Sequence, residues 1–141
     1  MRILGLDIGE KRIGVALSDP LGIIASALVV IERTTDQTAV KQIVELAREN
    51  AVERIIVGMP RSLDGSLGKQ AQVVQSFIDL LKGYTKLPVD TWDERLSTVA
   101  AERTMLEVGM KRDKRKKRRD SVAAAFILQG YLDREKSRAS E

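Results

Sequence analysis

The sequence contains no cysteine and no histidine among its 141 residues. Without cysteine there is no disulfide framework, thiolate nucleophile or sulfur-ligated metal. Without histidine, imidazole bases, Ser-His-Asp triads and almost every zinc site are excluded as well. Any catalysis must therefore fall to carboxylates. Aromatic residues make up only 4% of the chain. Trp92, Tyr84, Phe77, Phe126 and Tyr131 are too few and too dispersed for a base-stacking platform, and the helical ones are better read as core. No apolar run approaches the roughly 18 residues needed to cross a bilayer. The opening Met1-Arg2-Ile3-Leu4-Gly5-Leu6 is interrupted by Asp7 and no small-residue cleavage site follows, so a cytoplasmic protein without a membrane partner is expected. The length and an apolar content of 43% suit a single domain over residues 1–141. Residues 133–141 are expected to form a frayed tail.

What the sequence does have is a concentrated positive charge. Between Lys111 and Arg119 stand eight basic residues and one acid, which contribute +7 to an overall net charge of +4 and leave the rest of the chain at −3. A dense cationic patch on a slightly acidic body favours a polyanion, because each neutralised phosphate releases condensed counterions. A solvated loop with no partner is the plainer alternative. The run has no apolar residues at amphipathic spacing, which argues against a membrane surface.

Arg2–Asp7 and Gly14–Ser18 are short aliphatic runs about Gly9-Glu10-Lys11-Arg12, the pattern of two antiparallel strands and a turn. Gly22–Ile31 reads as a third strand of a meander. Thr34 and Gln37 fit a capping box, followed by Val40, Ile43, Val44 and Ala47 at helical spacing. A strand over Glu53–Val57 ends at Gly58-Met59-Pro60. The polar loop Arg61–Ser66 leads to a second amphipathic helix with Ala71, Val74, Ile78 and Leu81 on one face. Val89–Asp93 is a fifth strand. A further helix is expected from Ser97 or Thr98 to about Val108, stopped by Gly109, and after the basic run a last helix starts at Asp120-Ser121. This order predicts an α/β protein with a five-stranded mixed sheet and helices on both faces.

Three places carry acids that merit a chemical reading. Asp7 ends a run that should form the central buried strand, where a carboxylate is costly unless paired, protonated or bound to a cation; it could equally cap the turn. Asp93 and Glu94 end the fifth strand beside Arg95, where a surface ion pair is the ordinary reading. Asp120 begins the last helix, a favoured capping position. Two strand ends and a helix start can meet at one edge of a mixed sheet. Three convergent carboxylates repel one another unless a divalent cation neutralises them, and with only oxygen ligands available the expected metal is Mg²⁺ or Mn²⁺.

The successive segments Asp7-Ile8-Gly9-Glu10-Lys11-Arg12-Ile13-Gly14-Val15-Ala16, Val57-Gly58-Met59-Pro60 with Asp64-Gly65, Asp93-Glu94-Arg95-Leu96-Ser97-Thr98, and Asp120-Ser121-Val122-Ala123-Ala124 with Ile127–Leu132 resemble the motifs of the YqgF/RuvX family. The resemblance extends from Met1 to about Leu132. Members are described both as Holliday junction resolvases and as pre-16S rRNA nucleases. The resemblance implies an RNase H-like fold and an acidic triad of Asp7, Glu94 and Asp120 that is both catalytic and metal-binding. Glu10 and Ser97 depart from the family's usual residues, and neither is a proposed ligand.

The chemistry so implied is two-metal hydrolysis of a phosphodiester, which needs no histidine. Asp7 would bridge the metals, with Glu94 and Asp120 completing one site each. Lys11, Arg12 and Arg95 are candidates for the scissile phosphate. Lys111, Arg112, Lys114, Arg115, Lys116, Lys117, Arg118 and Arg119 are candidates for flanking phosphates, giving affinity with little sequence information. The Gly58-Met59-Pro60 and Asp64-Gly65 loop sits at the edge where α/β sheets usually bind ligands, and substrate contact is one reading of it.

The substrate expected first is the 5′ end of pre-16S rRNA. A branched DNA junction and a catalytically silent RNA-binding module are the alternatives. A sugar-kinase type ATPase is disfavoured, since it needs two such domains. A monomer suffices for trimming one RNA end, whereas symmetric junction cleavage would favour a homodimer.

Overall fold

The computed structural model describes residues 1–60, 68–93 and 112–139, with side chains in the last segment from Asp120 to Arg138. The elements in chain order are β1 (Arg2–Ile8), β2 (Arg12–Ser18), β3 (Ala25–Glu32), α1 (Asp36–Glu49), β4 (Val52–Met59), α2 (Lys69–Lys82), β5 (Val89–Asp93) and α3 (Arg112–Ala139). The five strands form one sheet in the order β3-β2-β1-β4-β5. β2 runs antiparallel to both β1 and β3, whereas β4 lies parallel to β1 and to β5. The sheet is therefore mixed, with β1 at its centre. The expected helix over 97–108 and the 61–66 loop lie outside the described residues.

Strand alternation sorts the sheet into two faces. On one, Leu4, Leu6, Ile13, Val15, Ile55 and Val57 meet Val40 and Ile43 of α1 and Val74, Phe77 and Leu81 of α2. On the other, Ile3, Ala16, Ile56 and Trp92 meet Ala124, Ile127, Leu128, Tyr131 and Leu132 of α3. Phe77 and Tyr131 are core residues as expected, while Phe126 is only half-buried.

Several expected boundaries shift, β2 starting at Arg12 and β4 spanning Val52–Met59, and the starts of α1 and β3 do so for reasons visible locally. The cap of α1 is Thr35 rather than Thr34. Its hydroxyl accepts from the Thr38 amide at 3.1 Å, and Asp36 in the first turn is held by Arg33. β3 begins at Ala25 rather than Gly22, because Asp19 gathers the intervening chain into a loop: its carboxylate accepts from the amides of Ile23 at 2.7 Å and Ile24 at 2.8 Å. Those amide bonds, Ile24 first and then Ile23, hold the exposed Asp19 carboxyl below the ordinary carboxylate value. β3 also carries a bulge, since Val15 pairs with Val29 and Ala16 with Ala27, leaving Leu28 as the extra residue.

The largest correction concerns the last helix. It starts at Arg112, so the backbone of the basic run from 112 to 119 is helical and Asp120 lies inside the helix instead of capping it. Lysine and arginine are good helix formers, neither glycine nor proline stands between Arg112 and Asp120, and Asp113 supplies an acid near the positive end of the helix dipole. The helix also continues through the stretch expected to fray, to Ala139. Arg134 lies 4.8 Å over the Trp92 ring, and Asp133 accepts from Gln129, whose amide group also ties α3 to the backbone of Ile23 and Ala25.

Candidate active site at the Gly14 crossing

Alternation along β1 fixes where Asp7 points. Ile3 packs on α3, and a β-carbon built on Gly5 would come within 2.8 Å of the Leu128 β-carbon, so positions 3, 5 and 7 share the α3 face. Asp7 sits near the carboxyl end of that strand, with Gly14 of β2 as its cross-strand partner. Gly14 in turn lies directly beneath α3: a β-carbon there would stand 1.9 Å from the Asp120 carbonyl oxygen. Only glycine permits that approach. Asp7 and Asp120 are thus brought together through one glycine, from elements 113 positions apart in the sequence.

Arg12 enters the same place. Two residues before Gly14 on β2, it reaches the Asp120 carboxylate with its Nε at 3.4 Å. The two side chains are 38% and 28% exposed, which puts the pair in the range of about 1 kcal/mol or less and leaves Arg12 able to exchange Asp120 for another anion. Lys11 beside it is exposed. The turn is closed by the Gly9 amide donating to the Arg12 carbonyl at 2.9 Å.

Of the residues expected to act, Asp7, Arg12 and Asp120 gather here, with Lys11 at the rim. Asp93 ends β5 opposite Met59 at the same end of the sheet as Asp7. Glu94, Arg95 and Lys111 lie outside the described residues. Arg112, Lys114, Arg115, Lys116, Lys117, Arg118 and Arg119 occupy the helical stretch that leads into Asp120. Among the described residues no cluster of three or more metal-binding side chains is present.

One residue at the site was not legible in the sequence. Arg33, whose side chain is only 10% exposed, donates to the Gly9 carbonyl at 2.8 Å and pairs with Asp36. As a lone arginine between a strand and a helix cap it looks like any surface charge, and nothing in its sequence context signals burial.

Residues 1–134 match the family described as RuvX, Holliday junction resolvase. The chain belongs to the RuvX family. Among curated RuvX relatives, one from Desulforamulus reducens is 53% identical over 133 residues, covering 94% of this chain and 97% of the relative. Another from Symbiobacterium thermophilum is 51% identical over 141 residues, covering 100% and 98%. Both carry the name "Putative pre-16S rRNA nuclease".

Among solved structures, Thermus thermophilus RuvC bound to a Holliday junction substrate superposes with a TM-score of 0.64 at 16% identity, covering 97% of this chain and 96% of that one. The large terminase nuclease of phage G20c gives 0.59 at 10% identity, covering 93% and 81%. These likenesses establish the RNase H-like fold of this RuvX chain, as expected from the motifs. No helix among the described residues is long and apolar enough to cross a membrane.

Proposed function

We propose that this RuvX protein is a metal-dependent nuclease that hydrolyses phosphodiester bonds in structured RNA, its substrate being the 5′ region of pre-16S rRNA. The observation that carries the reading is the convergence of Asp7 and Asp120 about Gly14, with Arg12 paired to Asp120. The name shared by relatives at about half identity supports the choice of RNA.

The donor chemistry fits Mg²⁺ or Mn²⁺: the described ligands are carboxylates, which are hard oxygen donors, and the sequence holds no histidine or cysteine to compete. Asp7, Glu94 and Asp120 would hold the ions. A bound pair of ions supplies activation of the attacking water and stabilisation of the leaving 3′ oxygen. Asp7 stands on the central strand, paired on both sides, which suits it to hold the ions in a fixed place. Lys11 and Arg12 meet the charge of the scissile phosphate. The helical run ahead of Asp120 holds neighbouring phosphates without reading sequence. The site is the chain's own, as trimming one RNA end requires, and a cytoplasmic setting follows from that substrate.

The test is cleavage by the purified protein, with and without Mg²⁺ or Mn²⁺, of a precursor rRNA fragment and of a four-way DNA junction. Metal-dependent cutting of the RNA is expected. Asp7→Asn should abolish it while fold and RNA affinity persist, since the change removes a ligand charge but keeps side-chain volume. Wild-type cleavage by that variant would overturn the acidic site. Preferential cutting of the junction would favour the resolvase that the family description names, and binding without cleavage would favour an RNA-binding module.

A further inference from the structure

We propose that Arg33 is a positioning residue that sets the geometry of the β1–β2 turn and through it the placement of Lys11 and Arg12 against the substrate; its catalytic consequence rests on the nuclease reading above. A guanidinium this deeply buried needs compensation for lost hydration. Asp36 gives much of it, accepting from Nε at 2.8 Å and from Nη2 at 3.4 Å, and the Phe77 ring lies 5.5 Å below the guanidinium carbon. Those contacts alone would tie the entry of α1 to α2 and to the core.

The remaining donors go elsewhere. Nη1 donates to the Gly9 carbonyl at 2.8 Å, and the Arg33 backbone amide donates to the Lys11 carbonyl at 2.9 Å. One residue therefore fastens the turn at two alternate peptides, while the turn itself is closed by the Gly9–Arg12 bond. The turn begins two residues after Asp7 and ends at the arginine that reaches Asp120. Its tip, Glu10 and Lys11, is exposed, so Arg33 braces from beneath what the chain presents to solvent. Lysine can replace this bracing only in part, because a single ammonium lacks the planar fork that serves a carboxylate and a carbonyl in different directions.

The experiment compares Arg33→Gln, Arg33→Lys and Asp36→Asn with a control on the exposed face of α1, Arg48→Gln. Readouts are amide hydrogen exchange, affinity for an RNA duplex across salt concentrations, and kcat and KM well below each variant's Tm. Arg33→Gln should exchange the Gly9 amide at least tenfold faster than wild type, with Leu4 and Leu6 unchanged. The salt dependence should flatten by about 0.7 to 0.9 for each phosphate that the turn ceases to neutralise. Turnover should drop by about 10²-fold with KM within about threefold, the scale of a reacting group displaced by about 1 Å. Arg33→Lys should fall between, Asp36→Asn should show the same pattern more weakly, and Arg48→Gln should match wild type.

Turn amides at the wild-type rate, or a lowered Tm with kcat, KM and salt slope unchanged, would overturn the proposal. If Arg33→Gln does not fold, Asp36→Asn carries the same test. If the wild-type protein binds RNA but does not cut it, the nuclease reading fails, and the exchange and salt-slope arms still decide the role of Arg33.

Discussion

On the α1/α2 side of the sheet the contacts are made by long aliphatic chains and Phe77, whereas under α3 the sheet narrows to Gly5, Gly14 and Ala16 before widening again at Trp92. The difference separates two duties. Bulk on the first side buries apolar area and supplies stability. Smallness on the second lets a helix backbone lie almost on the strands, which is how Asp120 reaches the neighbourhood of Asp7. A helix held off by ordinary side chains would leave the two acids on separate surfaces.

The sharpest way to break the comparison is Gly14→Ala. The new methyl would meet the Asp120 carbonyl oxygen at 1.9 Å, backbone against backbone, with no flexible side chain to yield. We expect destabilisation of about 3 kcal/mol or more, read by urea unfolding, and loss of cleavage even in the molecules that remain folded. Ile43→Ala, on the opposite side, is the counterpart. Ile43 is fully buried, so its truncation should cost about 2 to 5 kcal/mol, yet kcat per folded molecule should stay within about twofold of wild type. Equal loss of turnover in both variants would mean that the two sides do not divide their duties.

A third change leaves both packed faces alone. Replacing Lys114, Arg115, Lys116 and Lys117 with alanine preserves a helix former at each position and should shift Tm by no more than a degree or two. RNA affinity should fall about equally for unrelated sequences, and its salt dependence should flatten by about 0.7 to 0.9 per phosphate left unneutralised. The smallest effect is expected at Asp19, outside both faces. Its carboxyl is held below the ordinary value, so its contribution to stability is present above that value and is lost as pH falls through the lower, folded-state one. Asp19→Asn should flatten the fall of Tm in that acid range and leave neutral-pH turnover unchanged.

Much of this arrangement could be read from the chain. The aliphatic runs at residues 2–7, 14–18 and 89–93 and the helical spacing of Ala71, Val74 and Ile78 gave strands and helices at their true places, because each element buries one face against a single partner layer. Asp7 and Asp120 stood out as acids at the margins of apolar segments. The start of α3 escaped because a basic run reads as solvated loop when charge is weighed above helix propensity. Arg33 escaped for the opposite reason: its importance lies in long-range contacts to Gly9 and Phe77 that leave no local pattern. Gly14 was visible as a motif residue, but its reason, the carbonyl of Asp120 above it, exists only in the folded chain.

The bulge at Leu28 has a bearing on how this protein behaves at high concentration. β3 is an outer strand, and from Ala25 to Ile31 it carries no charge, with Leu28 and Val29 each 40% exposed. A straight strand of that composition would offer a second molecule an open row of amides and carbonyls and invite sheet-to-sheet polymerisation. The other outer strand, β5, is shorter and carries Asp90 and Asp93. On β3, where lysine and proline are missing, the extra residue at Leu28 breaks the repeat of the hydrogen-bonding edge and twists it. On that flank the pairing edge is thus interrupted by backbone irregularity along the uncharged stretch before Glu32, where β5 interrupts its own with charge.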